Sequence, residues 1–398
     1  MQPFPPFTLT PLPRILFGEG RLAELPAETA RLGRRALLVT GARSFRDSRH
    51  WRPLVDGLAA AGVAVETLAV AGEPTPDLVD GAVAEFKGRG IEVVVAVGGG
   101  STLDAAKAIA GLLPSGASVM DHLEYVGRGV PYAGPALPLV AVPTTAGTGA
   151  EATKNAVISR VGADGFKRSF RDERLMPALA LVDPALLEGC PRDVLAANGM
   201  DAFTQLLESF VSTRANAMTD ALAWSGLEAF RDGFFPALEG TGDEAAKGRA
   251  RLAYAALVSG ICLAHTGLGA VHGLASPLGA FFPIPHGVVC GTLVGETTHA
   301  NIEALLDRDP FGPAIPKYGK VGGMLSGHAR VCGGDGLIML TDVLDAWTER
   351  LELPRLAAFG VTVDDFPRIV AASGGNSMKT NPIVLEPAEI ENVLRRRL

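Results

Sequence analysis

The stretch IEVVVAVGGGS, residues 91–101, decides the fold. It is a continuous apolar run that ends in three glycines, and a helical pattern follows over residues 102–113. An apolar strand without polar alternation is typical of a parallel sheet covered on both faces. Where a strand meets a helix, glycines let backbone N–H groups approach a phosphate, and the helix N-terminus favours negative charge. The pattern is neither G-x-G-x-x-G nor a P-loop, so a tight turn without a ligand is the alternative.

Strands and helices alternate through the first half of the chain. Further apolar strands are predicted at 34–41, 63–70 and 138–145, and helices at 51–61, 77–90 and 102–113. From Pro191 onward no convincing strand is predicted, and helical patterns dominate at 193–212, 216–231 and 243–264. We therefore predict an α/β domain with a parallel sheet over 1–184 and an all-helical domain over 185–398.

A second glycine-rich junction follows the strand at 138–145. It carries Thr144, Thr145 and Thr148 among glycines, in the segment PTTAGTGAEATKN (143–155). Open α/β sheets bind nucleotides at the carboxyl ends of their strands, and both glycine-rich junctions lie at such ends. A helix cap rich in hydroxyl groups would look the same, but two such loops in one half favour nucleotide binding.

Two histidines lie in a strongly apolar stretch of the second half, GLGAVHGLASPLGAFFPIPHGVVCG (267–291). They are His272 and His286, each followed by glycine. Upstream, Asp201 and Gln205 are four residues apart, so a helix places both on one face. Together these four side chains offer nitrogen and oxygen donors to one divalent ion. Taken singly, a core histidine and a first-turn aspartate are the commoner explanations.

The composition excludes several classes of function. Of the 398 residues, 36 are basic and 43 acidic, which gives a net charge of −7. With this mildly acidic balance, neither nucleic acid nor an anionic membrane is expected as the main partner. The sequence shows no signal-peptide pattern and no uninterrupted apolar run of about eighteen residues. The cysteines form no C-x-x-C pair, so we expect a soluble cytoplasmic protein with reduced thiols. They are Cys190, Cys262, Cys290 and Cys332.

The motifs in combination resemble the iron-containing, or group III, alcohol dehydrogenase family over essentially the whole chain. The matching segments are RILFGEGRLAEL (14–25), VVVAVGGGSTLDAAKAIA (93–110), PLVAVPTTAGTGAEATKNAVIS (138–159), LALVDPALL (179–187), NGMDAFTQLLESFVS (198–212), GLGAVHGLASPLGAFFPIPHG (267–287) and Asn381-Pro382. The resemblance implies a dehydroquinate synthase-like fold, with a dinucleotide-binding domain at 1–184 and a helical domain for metal and substrate at 185–398. It also implies a homodimer or larger homo-oligomer.

The resemblance assigns roles to individual residues. Gly98 to Ser101 resemble the pyrophosphate cradle, and Asn155 and Lys167 match positions that reach the ribose and nicotinamide. The predicted cofactor-binding residues are Gly41, Ser44, Gly98, Gly99, Gly100, Ser101, Thr144, Thr145, Thr148, Asn155 and Lys167. The predicted metal ligands are Asp201, Gln205, His272 and His286, of which the two histidines are also the predicted catalytic residues. Asp104 and Lys107 belong to the motif, but an i,i+3 pair explains them equally well.

Three positions depart from the family pattern. Gln205 stands where the family usually has a histidine ligand, and a neutral amide is a weaker donor than imidazole for Fe²⁺ or Zn²⁺. Ser276 stands where members often have the second histidine of H-G-x-x-H. After the first predicted strand, Gly41-Ala42-Arg43-Ser44 replaces the acidic residue that selects NAD. This favours NADP, because a 2′-phosphate meets no repulsion and Arg43 and Ser44 offer it donors, although a solvated Arg43 is the alternative.

Other side chains near the predicted site are expected to serve packing. His265 precedes His272 by seven residues, which places it roughly 10 Å away along a straight helix, too far to share one ion. We expect it to be a hydrogen-bonded core histidine. The candidate apolar walls of a substrate pocket, for which core packing is the alternative, are Phe203, Phe281 and Phe282.

Three activities are compatible with these residues. The favoured one is a metal-assisted NAD(P)-dependent oxidoreductase that interconverts a small alcohol with an aldehyde or ketone, with Fe²⁺ expected and Zn²⁺ as the alternative. A metal-independent reductase of the maleylacetate type expects basic residues in its pocket, and residues 267–291 contain none. A dehydroquinate synthase-like lyase needs a basic cluster for a phosphate leaving group, for which only FKRSFRDER (166–174) qualifies.

Overall fold

The computed structural model describes residues 6–328, 330–331 and 333–398, so Cys332 lies outside the described residues. The chain folds into two compact units. The first comprises Thr10–Arg160 and Gly165–Cys190, and the second consists chiefly of Pro191–Leu398. The change from strands to helices that the sequence predicts near Asp183-Pro184 falls a few residues before the second unit begins.

The described part of the first unit contains eight strands and four α-helices, and the helices lie between the first five strands along the chain. The strands are β1 (Arg14–Phe17), β2 (Arg35–Gly41), β3 (Ala64–Val70), β4 (Val93–Gly98), β5 (Leu139–Pro143), β6 (Asn155–Arg160), β7 (Phe166–Arg171) and β8 (Leu179–Val182). The helices are α1 (Leu25–Leu32), α2 (Trp51–Ala60), α3 (Pro76–Phe86) and α4 (Gly100–Leu112). Six strands form one parallel sheet in the order β1-β8-β5-β4-β2-β3, and β6 pairs with β7 in an antiparallel hairpin.

Both faces of the parallel sheet are covered, as the apolar strands predict. Val94 and Ala96 of β4 belong to the core that includes side chains of α3 and α4. Val93, Val95 and Val97 point the opposite way, into the core that includes side chains of α1 and α2. Because successive side chains of a strand alternate between the faces, a strand buried on both sides reads as one unbroken apolar run.

The strand order creates a crevice between β2 and β4. From β2 the chain moves outward to the edge strand β3, and it then returns to place β4 on the other side of β2. The carboxyl ends of these two neighbours carry Gly41 and Gly98. This reversal is the topological switch point, outside which open α/β sheets bind their ligands.

The sequence prediction missed four strands of the first unit. The strands β1 and β8 are only four residues long, which is too short to show a periodicity. The hairpin strands β6 and β7 carry charged residues throughout FKRSFR and at the end of NAVISR. The hairpin shows the polar alternation of strands with one solvated face, which a search for continuous apolar runs overlooks.

The second unit is helical, and no strand occurs among its described residues. Its helices are α5 (Arg192–Val211), α6 (Ala217–Glu239), α7 (Gly242–Thr266), α8 (Ala270–Phe281), α9 (His286–Arg308), α10 (Ala314–Leu325), α11 (Gly334–Arg350), α12 (Phe366–Ala372) and α13 (Pro387–Arg396). In the part of the chain that the structure describes, no single helix is long and apolar enough to cross a membrane. The pair α7 and α8 reaches that length and apolarity only together, and it is bent by 98°.

Candidate active site

Three polar side chains project from one face of α5 into the interior of the second unit. Asp201, Gln205 and Glu208 are spaced by four and three residues, so they follow one another along the helix surface. All three are buried, Asp201 completely. Acidic side chains are rarely buried unless they are paired, so this face must meet compensating groups.

The N-terminus of α8 places His272 opposite this face. The backbone N–H of Val271 donates to Glu208 Oε1 at 2.7 Å, and that of Ala270 donates to Asn381 Oδ1 at 3.0 Å. These bonds satisfy N–H groups that a helix leaves without intrahelical partners. A Cβ at Gly269 would lie 2.8 Å from an oxygen of each partner, so only glycine permits this approach.

His272 lies between two carboxylates. Its Nδ1 is 2.7 Å from Glu208 Oε2, and its Nε2 is 3.2 Å from Asp201 Oδ1. Burial opposes the charged form of the ring, yet Cys290 and the carboxylates of Glu208 and Asp201 raise the pKa of His272 well above its ordinary value. A cation at Nε2 would take the place of the proton there and leave Nδ1–H donating to Glu208, which is how carboxylates orient metal-binding histidines.

The helix α9 supplies two further ligand-type atoms. His286 is its first residue, and Nε2 of this ring lies 3.7 Å from Asp201 Oδ1. Cys290 follows one turn later, with its Sγ 3.6 Å from His272 Nε2 and 3.8 Å from His286 Nε2. Burial raises the pKa of the Cys290 thiol to about 12. One turn of helix thus brings an imidazole and a thiol to the same carboxylate.

The carboxylate of Asp201 is the centre of this cluster. Burial opposes its ionisation, but His286 and His272 lower the pKa of Asp201 to about 2, so the group is ionised. Its Oδ2 is buried without a hydrogen-bond partner, which costs about 1–3 kcal/mol for a polar group and more for a charged one. Ligand atoms of Asp201, His272, His286 and Cys290 all lie within 4.8 Å of one another. These residues fit a divalent cation.

The predicted ligand Gln205 presents its amide nitrogen to the cluster. Its Nε2 donates to Asp201 Oδ1 at 3.3 Å, while its Oε1 accepts from Ser259 Oγ at 2.9 Å. An amide can ligate a metal only through its oxygen, so ligation requires the amide to turn over. Ser259 Oγ also lies 2.8 Å from Ala256 O, to which it can donate in either arrangement.

Sequence reasoning missed Glu208 and Cys290 as members of this cluster. Glu208 is seven residues after Asp201, and Cys290 is four after His286, so helical spacing carried both signals. A buried cysteine looks like any small apolar residue of a core, and the acid at the end of α5 looks like a solvated charge. Only the fold shows that these two positions face His272.

His265 lies at the end of α7, in the core of the helical unit. His265 lies 2.6 Å through Nδ1 from the carbonyl oxygen of Ile261, as expected for a core histidine. The straight helix assumed between His265 and His272 is wrong, because α7 ends at Thr266 and α8 begins at Ala270 after a sharp bend.

The candidate wall residues differ in their surroundings. Phe203 is fully buried against Phe230, so core packing explains it. The guanidinium of Arg368 lies over the rings of both Phe281 and Phe282. A basic side chain therefore does lie beside the segment 267–291, contrary to what the segment alone suggests, although Arg368 is paired with Asp365 at 2.7 Å.

The two predicted cofactor loops meet at the carboxyl ends of β4 and β5. A Cβ built on Gly99 would lie 3.3 Å from Thr145 Oγ1, and one on Gly100 would lie 2.7 Å from the Thr148 side chain. The N–H of Thr144 donates to Gly98 O at 3.0 Å. Glycine here permits the loops to touch, and no side chain caps the N-terminus of α4. Exposed N–H groups at such a terminus suit a phosphate.

The end of β2 adjoins these loops. A Cβ added to Gly41 would lie 3.8 Å from its nearest neighbour atom, Thr102 Oγ1, so this position tolerates a side chain. Arg43 and Ser44 are exposed. Arg46, which sequence reasoning missed, donates through Nε to Thr40 Oγ1 at 2.7 Å and keeps a buried guanidinium nitrogen without a partner.

Asn155 and Lys167 lie at opposite ends of the hairpin. Lys167 pairs in register with Ser159, four residues from Asn155, or roughly 13 Å along the strand. The ammonium of Lys167 is held by Glu73 at 2.7 Å. The fold does not bring these two predicted cofactor contacts together.

The buried Lys107 and the half-buried Asp104, in the helix after the glycine loop, have a structural role. Lys107 donates to Thr153 Oγ1 at 2.8 Å and to Asn155 O at 2.9 Å, and it lies 3.7 Å from Asp104 Oδ1. Burial raises the pKa of Asp104 to about 6 and lowers that of Lys107. The i,i+3 pair predicted as the alternative is present, and it ties α4 to β6.

Comparison with known proteins agrees with these motifs. The chain matches the iron-containing alcohol dehydrogenase profile over residues 12–184, and the profile of that family's C-terminal domain over residues 195–398. It is 30% identical to the lactaldehyde reductase of Escherichia coli (strain K12) over 373 residues, which cover 90% of this chain and 92% of that protein. It is also 30% identical to the NAD-dependent methanol dehydrogenase of Bacillus methanolicus over 346 residues, 80% of this chain and 88% of that protein.

Solved structures share the fold. The crystal structure of a 1,3-propanediol oxidoreductase superposes with a TM-score of 0.87 at 26% identity, covering 99% of this chain and 100% of that one. The predicted fold class, a parallel α/β domain followed by a helical domain, is confirmed. Since both halves match one family and a relative covers nine tenths of the chain, the protein belongs to the iron-containing alcohol dehydrogenase family and is an NAD(P)-dependent oxidoreductase acting on alcohols and aldehydes.

Proposed function

We propose that the protein interconverts a small primary or secondary alcohol with its aldehyde or ketone at a divalent metal site in the helical unit. The observation that carries this proposal is the buried carboxylate of Asp201, whose Oδ2 has no hydrogen-bond partner and whose Oδ1 lies 3.2 Å and 3.7 Å from the Nε2 atoms of His272 and His286. A divalent ion bound there supplies Lewis-acid polarisation of the substrate oxygen.

Each side chain around the proposed metal position has a distinct role. Asp201 contributes the negative charge, and His272 and His286 contribute neutral nitrogen donors. Glu208 accepts from His272 Nδ1 and so fixes which ring nitrogen faces the centre. The apolar walls of α5 and α8 exclude water, which strengthens every charge interaction inside. Gln205 serves as a fourth ligand only after its amide turns over.

The cofactor in this proposal is a nicotinamide dinucleotide bound across the glycine and threonine loops. Gly98 to Ser101 at the start of α4 would receive the pyrophosphate, with Thr144, Thr145 and Thr148 beside it. The bound dinucleotide supplies or accepts the hydride. Asn155 and Lys167 remain predicted contacts, the latter already engaged with Glu73.

The preference for NADP is supported by the end of β2. Gly41, Arg43 and Ser44 offer no carboxylate to the adenosine ribose, and Arg46 adds a second cation near Thr40. One relative is named as NAD-dependent, so the proposed preference for NADP rests on this chain's own residues and not on the comparison. We also propose a cytoplasmic homodimer or larger homo-oligomer, as the family resemblance and the reduced cysteines predict.

A metal-free reductase acting on an activated keto acid is the second candidate. The specific observation in its favour is Arg368, whose guanidinium lies on Phe281 and Phe282 beside the histidine segment. Its pairing with Asp365 offsets the charge that a substrate carboxylate would need. The lyase alternative would depend on residues 166–174, where Lys167 is bound to Glu73.

The deciding experiment combines metal analysis with turnover. The protein is purified, its metal content is measured, and oxidation of NADPH and NADH is followed with short aldehydes and with an enone carboxylate. We expect bound metal, loss of aldehyde reduction after prolonged chelation and recovery on adding Fe²⁺ or Zn²⁺. Full turnover with no detectable ion would contradict the metal-assisted reaction and support the metal-free reductase.

A further inference from the structure

The cluster of possible metal ligands includes the thiol of Cys290, which is absent from the ligand set that the family resemblance implies. Cys290 Sγ is within 3.8 Å of both histidine Nε2 atoms, the same nitrogens that face Asp201. The residue is fully buried on the first turns of α9. Its Sγ therefore points into the cluster rather than into the apolar core.

The spacing of these atoms suits a single ion. Zinc binds thiolate sulfur at about 2.3 Å and imidazole nitrogen at about 2.0 Å, so a tetrahedral angle separates sulfur from nitrogen by about 3.5 Å. The two observed separations are 3.6 Å and 3.8 Å. For a carboxylate oxygen in place of the sulfur, the same tetrahedral geometry separates oxygen from nitrogen by about 3.4 Å. The observed distances from Asp201 Oδ1 to the Nε2 atoms of His272 and His286 are 3.2 Å and 3.7 Å.

The competing fourth ligand is less well placed. The Gln205 amide directs its nitrogen to Asp201, and its oxygen is engaged by Ser259. Ligation by Gln205 breaks its hydrogen bond to Asp201 and reverses the direction of the one with Ser259, whereas Cys290 needs only to lose a proton. The other oxygen of this carboxylate, Asp201 Oδ2, is buried without a hydrogen-bond partner, which indicates independently that the carboxylate suits a cation.

We infer that Cys290 Sγ, and not the Gln205 amide, is the fourth ligand of the metal, which makes the ligand set one carboxylate, two imidazoles and one thiolate. The inference rests on the metal site proposed above. When the sulfur–metal bond forms, the thiol proton leaves to solvent, and no oxidation takes place. Thiolate ligands favour zinc over the harder Fe²⁺, so this site selects Zn²⁺ in place of the iron for which the family is named.

Cobalt substitution tests the inference without relying on activity. Co²⁺ is bound to the metal-free full-length protein, and the near-ultraviolet absorption that arises from thiolate-to-cobalt charge transfer is recorded. Native mass spectrometry counts the bound ions. We expect one Co²⁺ per chain together with the thiolate band, and loss of that band in Cys290→Ala and Cys290→Ser.

Matched variants separate the thiol from its neighbours. Cys262→Ser changes another fully buried cysteine, on α7, and Gln205→Leu removes the competing amide. Both should keep the band. Zn²⁺ affinity should fall more than about tenfold in Cys290→Ala. Loss of a residue that only orients a metal ligand already lowers metal affinity by about tenfold or more, and loss of a ligand should lower it further. In Gln205→Leu it should fall much less.

The possible outcomes distinguish this inference from the proposed function. One Co²⁺ bound to the parent protein without a thiolate band overturns the role of Cys290 and leaves the metal site standing. No metal bound at all overturns both. A band that disappears in Cys262→Ser also contradicts the assignment. The test stands even if Cys290→Ala fails to fold, because the parent spectrum is sufficient.

Discussion

At the scale of the residue, Glu208 is the side chain on which the orientation of His272 depends. One of its oxygens accepts from the imidazole Nδ1, and the other accepts from the backbone N–H of Val271. One carboxylate thus fixes both the ring and the first turn of the helix that carries it. A neutral amide offers one acceptor and one donor, so it cannot serve both partners.

We predict that Glu208→Gln weakens metal binding about 10- to 100-fold. The same change should lower the free energy of unfolding by about 1–3 kcal/mol, because one buried donor loses its acceptor. Competition with a coloured chelator measures the first effect and urea unfolding the second. Asp193→Asn on the exposed first turn of α5 is the control, and equal metal affinity in the two variants would contradict the role of Glu208.

A second buried acid, Glu151, gives the protein a specific pH dependence. Burial raises the pKa of Glu151 from 4.5 to about 7. Between these values Glu151 keeps a proton in the folded chain that it releases in the unfolded chain, so its contribution to stability falls as pH rises through this window. The slope for one such group is at most about 1.4 kcal/mol per pH unit.

We predict that Glu151→Gln removes this contribution. The variant should lose less stability than the parent between pH 4.5 and about 7, because its buried amide does not ionise. Urea unfolding across that window measures the difference. Glu85→Gln, at an exposed position, should leave the slope unchanged, and identical slopes for parent and Glu151→Gln would count against the buried-acid explanation.

At the scale of the element, the loops after β2, β4 and β5 form the proposed nucleotide site. They lie together because parallel strands end at one edge and because the strand order reverses between β2 and β4. The sequence predicted the loops after β4 and β5 from their glycines and threonines. It did not predict the hairpin β6–β7, whose register separates Asn155 from Lys167.

We predict that Gly99→Val abolishes dinucleotide binding without unfolding the protein. A branched side chain at this position meets Thr145 at 3.3 Å and obstructs the approach of a phosphate to the start of α4. Fluorescence titration with NADPH and NADH measures binding, and circular dichroism checks the fold. Gly81→Val in α3, where no atom lies within 4 Å, is the matched control. Unchanged binding in Gly99→Val would remove the nucleotide assignment.

Cofactor preference should change with one residue at the end of β2. We predict that the parent protein prefers NADPH and that Gly41→Asp moves the preference toward NADH, since a carboxylate repels the 2′-phosphate and binds the ribose hydroxyls. The space around Gly41 admits a side chain, so the variant should fold. The ratio of kcat/KM for the two cofactors is the measurement, with Gly41→Ala as the uncharged control. A parent that strongly prefers NADH would show the prediction to be wrong.

At the scale of the whole molecule, the sequence predicted an α/β half followed by a helical half, and it placed the helices α2 to α7. A continuous apolar run indicates a strand that is buried on both faces, and a long helical period of apolar residues indicates a helix that is buried along one stripe. Both patterns can be recognised without knowledge of the rest of the fold. The cluster around Asp201 was only partly predictable. Asp201 and Gln205 were found from spacing within one helix, whereas Glu208 and Cys290 gain their meaning from α8 and α9, far along the chain.

The bend between α7 and α8 shows why such contacts escape pattern analysis. Gly267 adopts a positive φ of 66°, which ends α7 and turns the chain toward Glu208 and Asn381. A glycine in a sequence reports that a turn is allowed, but not its direction. The direction decides which side chains meet.

The burial of Asp201, His272 and Cys290 has a kinetic consequence. Of the four clustered ligands only the ring of His286 reaches the surface, with a quarter of its side chain exposed. We therefore expect the release of an ion from the proposed site to require local opening around α9. We expect the rate of ion loss to reach a plateau as chelator concentration rises, and to increase in His286→Ala. A rate that stays proportional to chelator concentration would mean an open site. An ion in the proposed site should therefore exchange slowly. We expect the metal ion that binds while the chain folds to remain bound during turnover.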